Sequence, residues 1–261
     1  MGMTELLRLY DGYVDSYRDA DGNLPVMMRL KRVHTGFVVK NAELIADGEK
    51  FDATMREAAL AAALLHDTGR YEQLRLYDTF RDSDSVDHAV FSHDIVKGKG
   101  WLDVVFPDEG VREAVLKAVL YHNRRDVPGG LDALTEACSH TVRDADKLDI
   151  FRVLEDQVEH TDWRHDSRAF WNLAIDAPPN PAVLECIESR RPVDYQRIKS
   201  LSDFVLIQIG WMISGLRYAT SRRLCRERGH LDFRRDFLHK LTSDSSIDRV
   251  CELAFSALNS R

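Results

Sequence analysis

The chain has 261 residues, 44% hydrophobic and 30% charged, an ordinary globular balance with enough apolar material for a sizeable core, so a disordered chain is excluded. A net charge of −7 with a pI near 5.8 argues against a surface built to grip a nucleic-acid polymer, which takes clustered Lys and Arg. No run reaches the ~20 apolar residues of a membrane span, and "MGMTELLRLYDGYVDSYRDADG" meets Asp and Arg too early for a secretory signal; a cytoplasmic protein with no membrane partner is expected.

Helical spacing dominates the chain and strand-like alternation is nearly absent, so the expected fold class is all-α. Pro25 suits a first helical turn, and Val26, Leu30, Val33, Phe37 and Leu44 then recur at helical intervals. The stretch from Phe51 to Leu65 is alanine-rich and apolar on every side, the pattern of a buried central helix, with Gly69 as its stop. Asp84 or Ser85 is placed to cap a helix carrying Val86, Val90 and Val96 that ends at Gly98; another runs from about Gly110 to His122 through Val111, Val115 and Val119. After the turn "DVPGG", the stripe Cys138, Thr141, Ala145, Leu148 predicts a long helix from Leu134 towards His160.

"DAPPNP", residues 176 to 181, is the clearest break. Beyond it the spacing predicts a short helix over 182–189 and a long one over 198–228, with Val205, Ile209, Met212 and Leu216 on one face. The basic run "ATSRRLCRERGHLDFRR" reads as a solvated helix end. Cys138, Cys186, Cys225 and Cys251 form no C-x-x-C pair and read as reduced core thiols.

The chemistry gathers around "ALLHDTGRYEQLR", where an apolar helix breaks off in His66 and Asp67. Desolvating an imidazole and a carboxylate together costs several kcal/mol unless each finds a partner, so the pair is either a satisfied polar couple or half of a metal site. His34, His88, His93, His122 and one aspartate of "RDADKLD" match it in kind. His34 falls one turn after Leu30 and one before Val38, and His122 ends the stripe of Val115 and Val119. Taken singly, each also fits a hydrogen-bonded core histidine. Asp146 lies one turn from Val142, whereas Asp144 points roughly 200° around the helix; Asp146 is the inward candidate and Asp149 its hydrogen-bonding support. Such mixed N and O donors suit divalent iron, manganese, cobalt, nickel, magnesium or zinc.

In this order, His34, then His66-Asp67, then Asp146 in "DADKLD", the chain resembles the H…HD…D signature of the HD-domain superfamily of metal-dependent phosphohydrolases, and "HDTGR" is similar to that family's H-D-x-G-[KR] form. The resemblance covers roughly residues 25–160. It implies an HD-domain helical bundle over residues 1–175 with a carboxyl-terminal helical extension over 176–261. It also implies one divalent metal ion, or two where His88 and His122 hold a second, with His93 in support; His88 fits the H-x-x-x-[GS] form better than His93. The stretch around His122 resembles the cyclic-dinucleotide phosphodiesterases of the HD-GYP subgroup, but Asn123 stands where they have a second histidine and "DVPGG" replaces their Gly-Tyr-Pro.

The activity so implied is hydrolysis of a phosphate mono- or diester, a small nucleotide foremost, by metal-activated water. Asp67 is the catalytic carboxylate, and Arg70 and Lys147 are candidate phosphate cations that equally suit the surface. Two other readings stay open on the residues alone. One is a di-iron oxygenase with the same ligands; the other is a non-catalytic, metal-stabilised protein whose carboxyl-terminal helices bind a partner protein. On any of these readings the carboxyl-terminal helices also suit a homodimer.

Overall fold

The computed structural model describes residues 2–165 and 173–260. Among the described residues there is no β-strand, only an isolated parallel bridge between Ala174 and Ser200, as the helical spacing predicts. Among these residues no helix is long and apolar enough to cross a membrane. The chain divides into two compact units, one up to Asp146 and one from Lys147.

The first unit is organised by α3 (Ala53–Leu65), in which every residue from Ala58 to Leu65 is buried. Small side chains let neighbours approach closely, and α2 (Val26–Gly48) and α7 (Glu109–Tyr121) pack on it, with α1 (Gly2–Asp15) also in contact. Asp52 caps α3 by accepting from the Met55 N–H, and Asp108 does the same for α7 at Val111. The stripe Cys138, Thr141, Ala145, Leu148 of α8 (Ala133–His160) is buried throughout, and the four cysteines are buried and free.

α2 turns the other way from its apolar spacing. Val26, Leu30, Val33, Phe37 and Leu44 are exposed, and the buried face carries Met28, His34, Thr35, Val38, Asn41, Ala42 and Ile45. Both faces have helical periodicity, and polar residues on the inner one weaken the signal that would mark it. Their polarity is used: Asn41 Nδ2 donates to the Ala145 carbonyl at 3.1 Å, tying α2 to α8 beside Asp146.

Gly69 is likewise not a helix stop. It opens α4 (Gly69–Tyr77) where that helix crosses α5 (His88–Lys99), and a Cβ there would lie 2.6 Å from the Ser92 nitrogen and 3.0 Å from the His88 carbonyl oxygen. Its N–H donates to Ser92 Oγ at 2.8 Å. The contact sets how closely His88, the first residue of α5, approaches Asp67. α5 starts later than its apolar spacing indicates because Asp87 caps it, accepting from the Ala89 and Val90 N–H groups; it ends at left-handed Gly100 and is followed by α6 (Trp101–Val105).

In the second unit α9 (Pro181–Glu188) has Asn180 as its cap. The long helix expected over 198–228 is two, α10 (Leu201–Ser214) and α11 (Ala219–Glu227). They part at Gly215, where a Cβ would sit 2.9 Å from both the Cα and the carbonyl oxygen of Trp211. α10 is almost wholly buried and contacts α9, α12 (His230–Leu241) and α13 (Ser246–Asn259). The basic run is not all solvated either. Arg234 is fully buried, stacked on Phe151 at 4.5 Å, and donates to Glu155 Oε1 at 2.7 Å, to Gln208 Oε1 and to the Phe151 carbonyl. An unpaired Arg there would cost several kcal/mol.

Gly69→Ala should therefore destabilise the protein by about 1–3 kcal/mol, the range for overpacked contacts, because Ser92 and His88 must yield backbone. Urea unfolding measures it; an unchanged midpoint would show that α4 and α5 separate at no cost.

Candidate metal centre

His66 and Asp67 occupy a tight turn between α3 and α4. Thr68 returns its N–H and its hydroxyl to the Leu65 carbonyl, and the Arg70 N–H returns to the Asp67 carbonyl at 3.0 Å. Continuing α3 would carry the two side chains along its axis; the turn holds them at its end, both buried.

Other helix ends and faces converge on Asp67. Its Oδ2 lies 3.5 Å from His66 Nε2 and 3.7 Å from His34 Nε2, the latter from mid-α2. Its Oδ1 lies 3.6 Å from His88 Nε2 and 3.7 Å from His122 Nε2, from the start of α5 and the end of α7. Asp146 closes the first side, with Oδ1 at 3.2 Å from His34 Nε2 and 4.0 Å from His66 Nε2. One carboxylate thus faces two imidazoles from each of its oxygens, and the triads His34, His66, Asp67 and Asp67, His88, His122 each bring their ligand atoms within 4.8 Å of one another.

The proton positions of three imidazoles follow from their outer partners. His66 Nδ1 lies 2.8 Å from the Ala63 carbonyl and His122 Nδ1 2.7 Å from the Val119 carbonyl. A carbonyl only accepts, so each Nδ1 carries a proton, and in the neutral ring the lone pair falls to Nε2. His88 Nδ1 lies 2.5 Å from Asp82 Oδ2, and Asp82 is ionised: burial pushes its pKa up, but His88, Arg70 and Gln73 outweigh this and hold it at about 2.

His88 Nε2 and His122 Nε2 turn inward within 3.0 Å of each other, and His66 Nε2 is buried with no hydrogen-bond partner. Such atoms fit a cation: neutral imidazoles with the far nitrogen anchored on carbonyl or carboxylate are the form in which His ligates metal.

The electrostatics point the same way. Burial raises the Asp67 pKa, but the Lys31 ammonium beside it outweighs this and holds it well below the usual carboxylate range. Asp146 is lowered likewise, burial being outweighed by His34 and His66. Burial drives His88 down to about 4, against the pull of Asp82 and with repulsion from Arg70 and His122. At neutral pH the centre thus holds anionic carboxylates and at least one imidazole firmly neutral, a donor set for a divalent ion.

The remaining sequence candidates lie as follows. Arg70 places Nε 3.6 Å from Asp67 Oδ1, while its NH1 donates to Asp82 Oδ1, the Phe80 carbonyl and Gln73 Oε1. His93 pairs with Asp94 at 2.8 Å and belongs to neither triad. Asp149 pairs with Arg152 at 2.6 Å in the second unit, which Lys147 begins. Asn123 donates to Asp87 Oδ1 at 2.9 Å, linking the turn after α7 to the α5 cap.

Two residues at the centre escape sequence reading. Lys31 Nζ lies 2.7 Å from Asp67 Oδ2; its position three before His34 places both on one helix face, a signal in plain view for a charge partner. Asp82, the His88 anchor, opens a single 3-10 turn, Asp82–Asp84, too short to show a periodicity that would reveal it.

An all-helical unit in which one carboxylate is shared by two histidine pairs is a candidate metal-binding helical domain. The family model for the HD domain matches residues 33–150, so this segment of the chain is similar to the HD-domain superfamily, which holds metal-dependent phosphohydrolases. The match spans His34, His66, Asp67, His88, His122 and Asp146. No curated protein and no solved structure matches the chain significantly.

Because Asp67 faces both histidine pairs, Asp67→Ala should abolish metal retention altogether, whereas His122→Ala should lower the metal content by about one equivalent and leave the His34 side loaded. Elemental analysis after reconstitution with manganese or iron reads both; equal losses in the two variants would show a single ion.

In chelated protein the His88 shift has a definite sign. The unfolded chain takes a proton near the ordinary 6.5, whereas the folded chain resists until about 4. The unfolded state binds more protons in between, so stability falls as pH drops through that window. From pH 7 to 5 wild type should lose about 2 kcal/mol more than His88→Gln, measured by urea unfolding; parallel losses would remove His88 as the cause.

Proposed function

We propose that the chain is a metal-dependent phosphohydrolase acting on a phosphate mono- or diester, a small nucleotide foremost. The observation that carries this reading is the Asp67 carboxylate set between two histidine pairs inside an HD domain. Divalent ions held by His34, His66, Asp67 and Asp146, and by Asp67, His88 and His122, would supply an acidified water and polarise a phosphoryl oxygen.

The protein's own groups do the rest. The carbonyls of Ala63 and Val119 and the Asp82 carboxylate fix three rings with their lone pairs inward. Asp67 and Asp146 stay ionised at working pH and balance positive charge. Arg70 is clamped through NH1 by Asp82, Gln73 and the Phe80 carbonyl, which holds the guanidinium plane beside Asp67. Its Nε is buried with no hydrogen-bond partner. A planar donor fixed at that edge suits a non-bridging phosphate oxygen.

Screening the metal-loaded protein against mono-, di-, tri- and cyclic nucleotides and a generic phosphodiester tests the reading. Hydrolysis lost on chelation and restored by metal is expected; no turnover with any of them, together with an oxo-bridged iron absorption band, would replace hydrolysis by oxygen chemistry. Arg70→Ala should raise KM about ten-fold or more with kcat little changed, the signature of uniform binding. An unaltered KM would confine Arg70 to holding the loop at Asp82.

A further inference from the structure

The cation closest to the centre is Lys31, and the functional reading above gives it no task. Its ammonium takes Asp67 Oδ2 at 2.7 Å, on the side that also faces His34 and His66. The Lys31 side chain retains 22% exposure against 4% for Asp67, so the pair lies where the centre opens. Met27, one turn before Lys31, and Leu30 beside it are solvent-exposed among the described residues.

The charges at this edge are arranged around one ring. Lys31 Nζ and the Arg70 guanidinium both stand 5.7 Å from the centroid of Phe80. Arg70 is fixed by three acceptors. Lys31, by contrast, is a flexible four-carbon stem with three rotatable donors. An ammonium and a divalent ion cannot both sit against one carboxylate oxygen without strong repulsion at such distances. When Asp67 turns its charge to a metal, the ammonium must leave Oδ2, and the Phe80 ring it already faces keeps it beside Arg70 as it does so.

We propose that Lys31 is a phosphate-binding residue, held by Asp67 until a metal ion claims that carboxylate and then free to grip the substrate's phosphate together with Arg70. The inference rests on the phosphohydrolase reading and extends it: loading with metal switches on the anion site, so metal and phosphate bind with positive coupling. Part of that coupling runs through Lys31.

Calorimetric titration of the full chain tests this without turnover, using manganese on chelated protein and inorganic phosphate on protein with and without manganese. For Lys31→Met, manganese should bind about ten-fold tighter, because a competing cation is gone. Phosphate should bind the loaded variant about ten-fold more weakly than wild type, the scale of one charge-assisted hydrogen bond. Lys31→Arg should keep phosphate affinity within a few-fold, which guards against a folding defect in the Met variant. If Lys31→Met leaves phosphate affinity unchanged, or weakens manganese, the proposal is overturned and Lys31 is only a structural counter-ion. If wild type binds no manganese at all, it is the reading of the metal centre that fails.

Discussion

Burying the Asp67 carboxylate is the constraint on which the first unit turns. A carboxylate taken out of water without compensation costs several kcal/mol, and Asp67 is 3% exposed. Its compensation comes from several elements at once: Lys31 and His34 from α2, His66 from the end of α3, Arg70 from α4, His88 from α5 and His122 from α7. Each helix must therefore arrive at a particular depth and rotation. Apolar burial brings the helices together, and the alanines of α3 allow the close approach; the shared carboxylate selects the register in which they stop.

The same constraint explains features that look unrelated to chemistry. Gly69 has no side chain because α5 must come near enough for His88 to face Asp67. The segment after α4 is held by Arg70 and Gln73 onto Asp82, and Asp82 in turn holds His88 by its outer nitrogen. Asp87 caps α5, so that His88 is its first helical residue, and receives Asn123 from the turn beside His122. A chain of polar contacts runs from one histidine of the second triad round to the other without passing through the centre. It orients both rings before any ligand arrives, the kind of outer support that tunes metal sites.

The sequence makes most of this legible where one signal dominates. α3, α7 and α8 carry uninterrupted periodic stripes, and their burial follows the spacing. The six ligand candidates stand out because imidazoles and carboxylates are rare on inward faces. α2 misleads because its outer face is the more apolar, its inner face being spent on His34, Thr35 and Asn41. Gly69 misleads because a glycine after an apolar helix looks the same whether it ends that helix or admits a neighbour. Asp82 is invisible because a single short turn shows no period, and Arg234 because a basic run gives no sign of which member meets Glu155. The unit boundary at Asp146 and Lys147 falls inside α8, where composition does not change.

The charge balance around Asp67 carries the argument from architecture to ligand chemistry. Asp67, Asp82 and Asp146 are all held ionised, while Lys31 and Arg70 contribute the opposing charges, Arg70 largely committed to Asp82. Among these groups three carboxylates against two cations leave a single negative charge, which one divalent ion would reverse and a second would make strongly positive. A centre loaded in this way is itself short of negative charge in a setting where water is scarce and Coulomb interactions are strong. It can recover balance by deprotonating a water, by binding an anion, or by both. Hydroxide and a phosphoryl group would answer that demand together, which is why the charge balance favours the proposed phosphate ester hydrolysis over a purely structural metal.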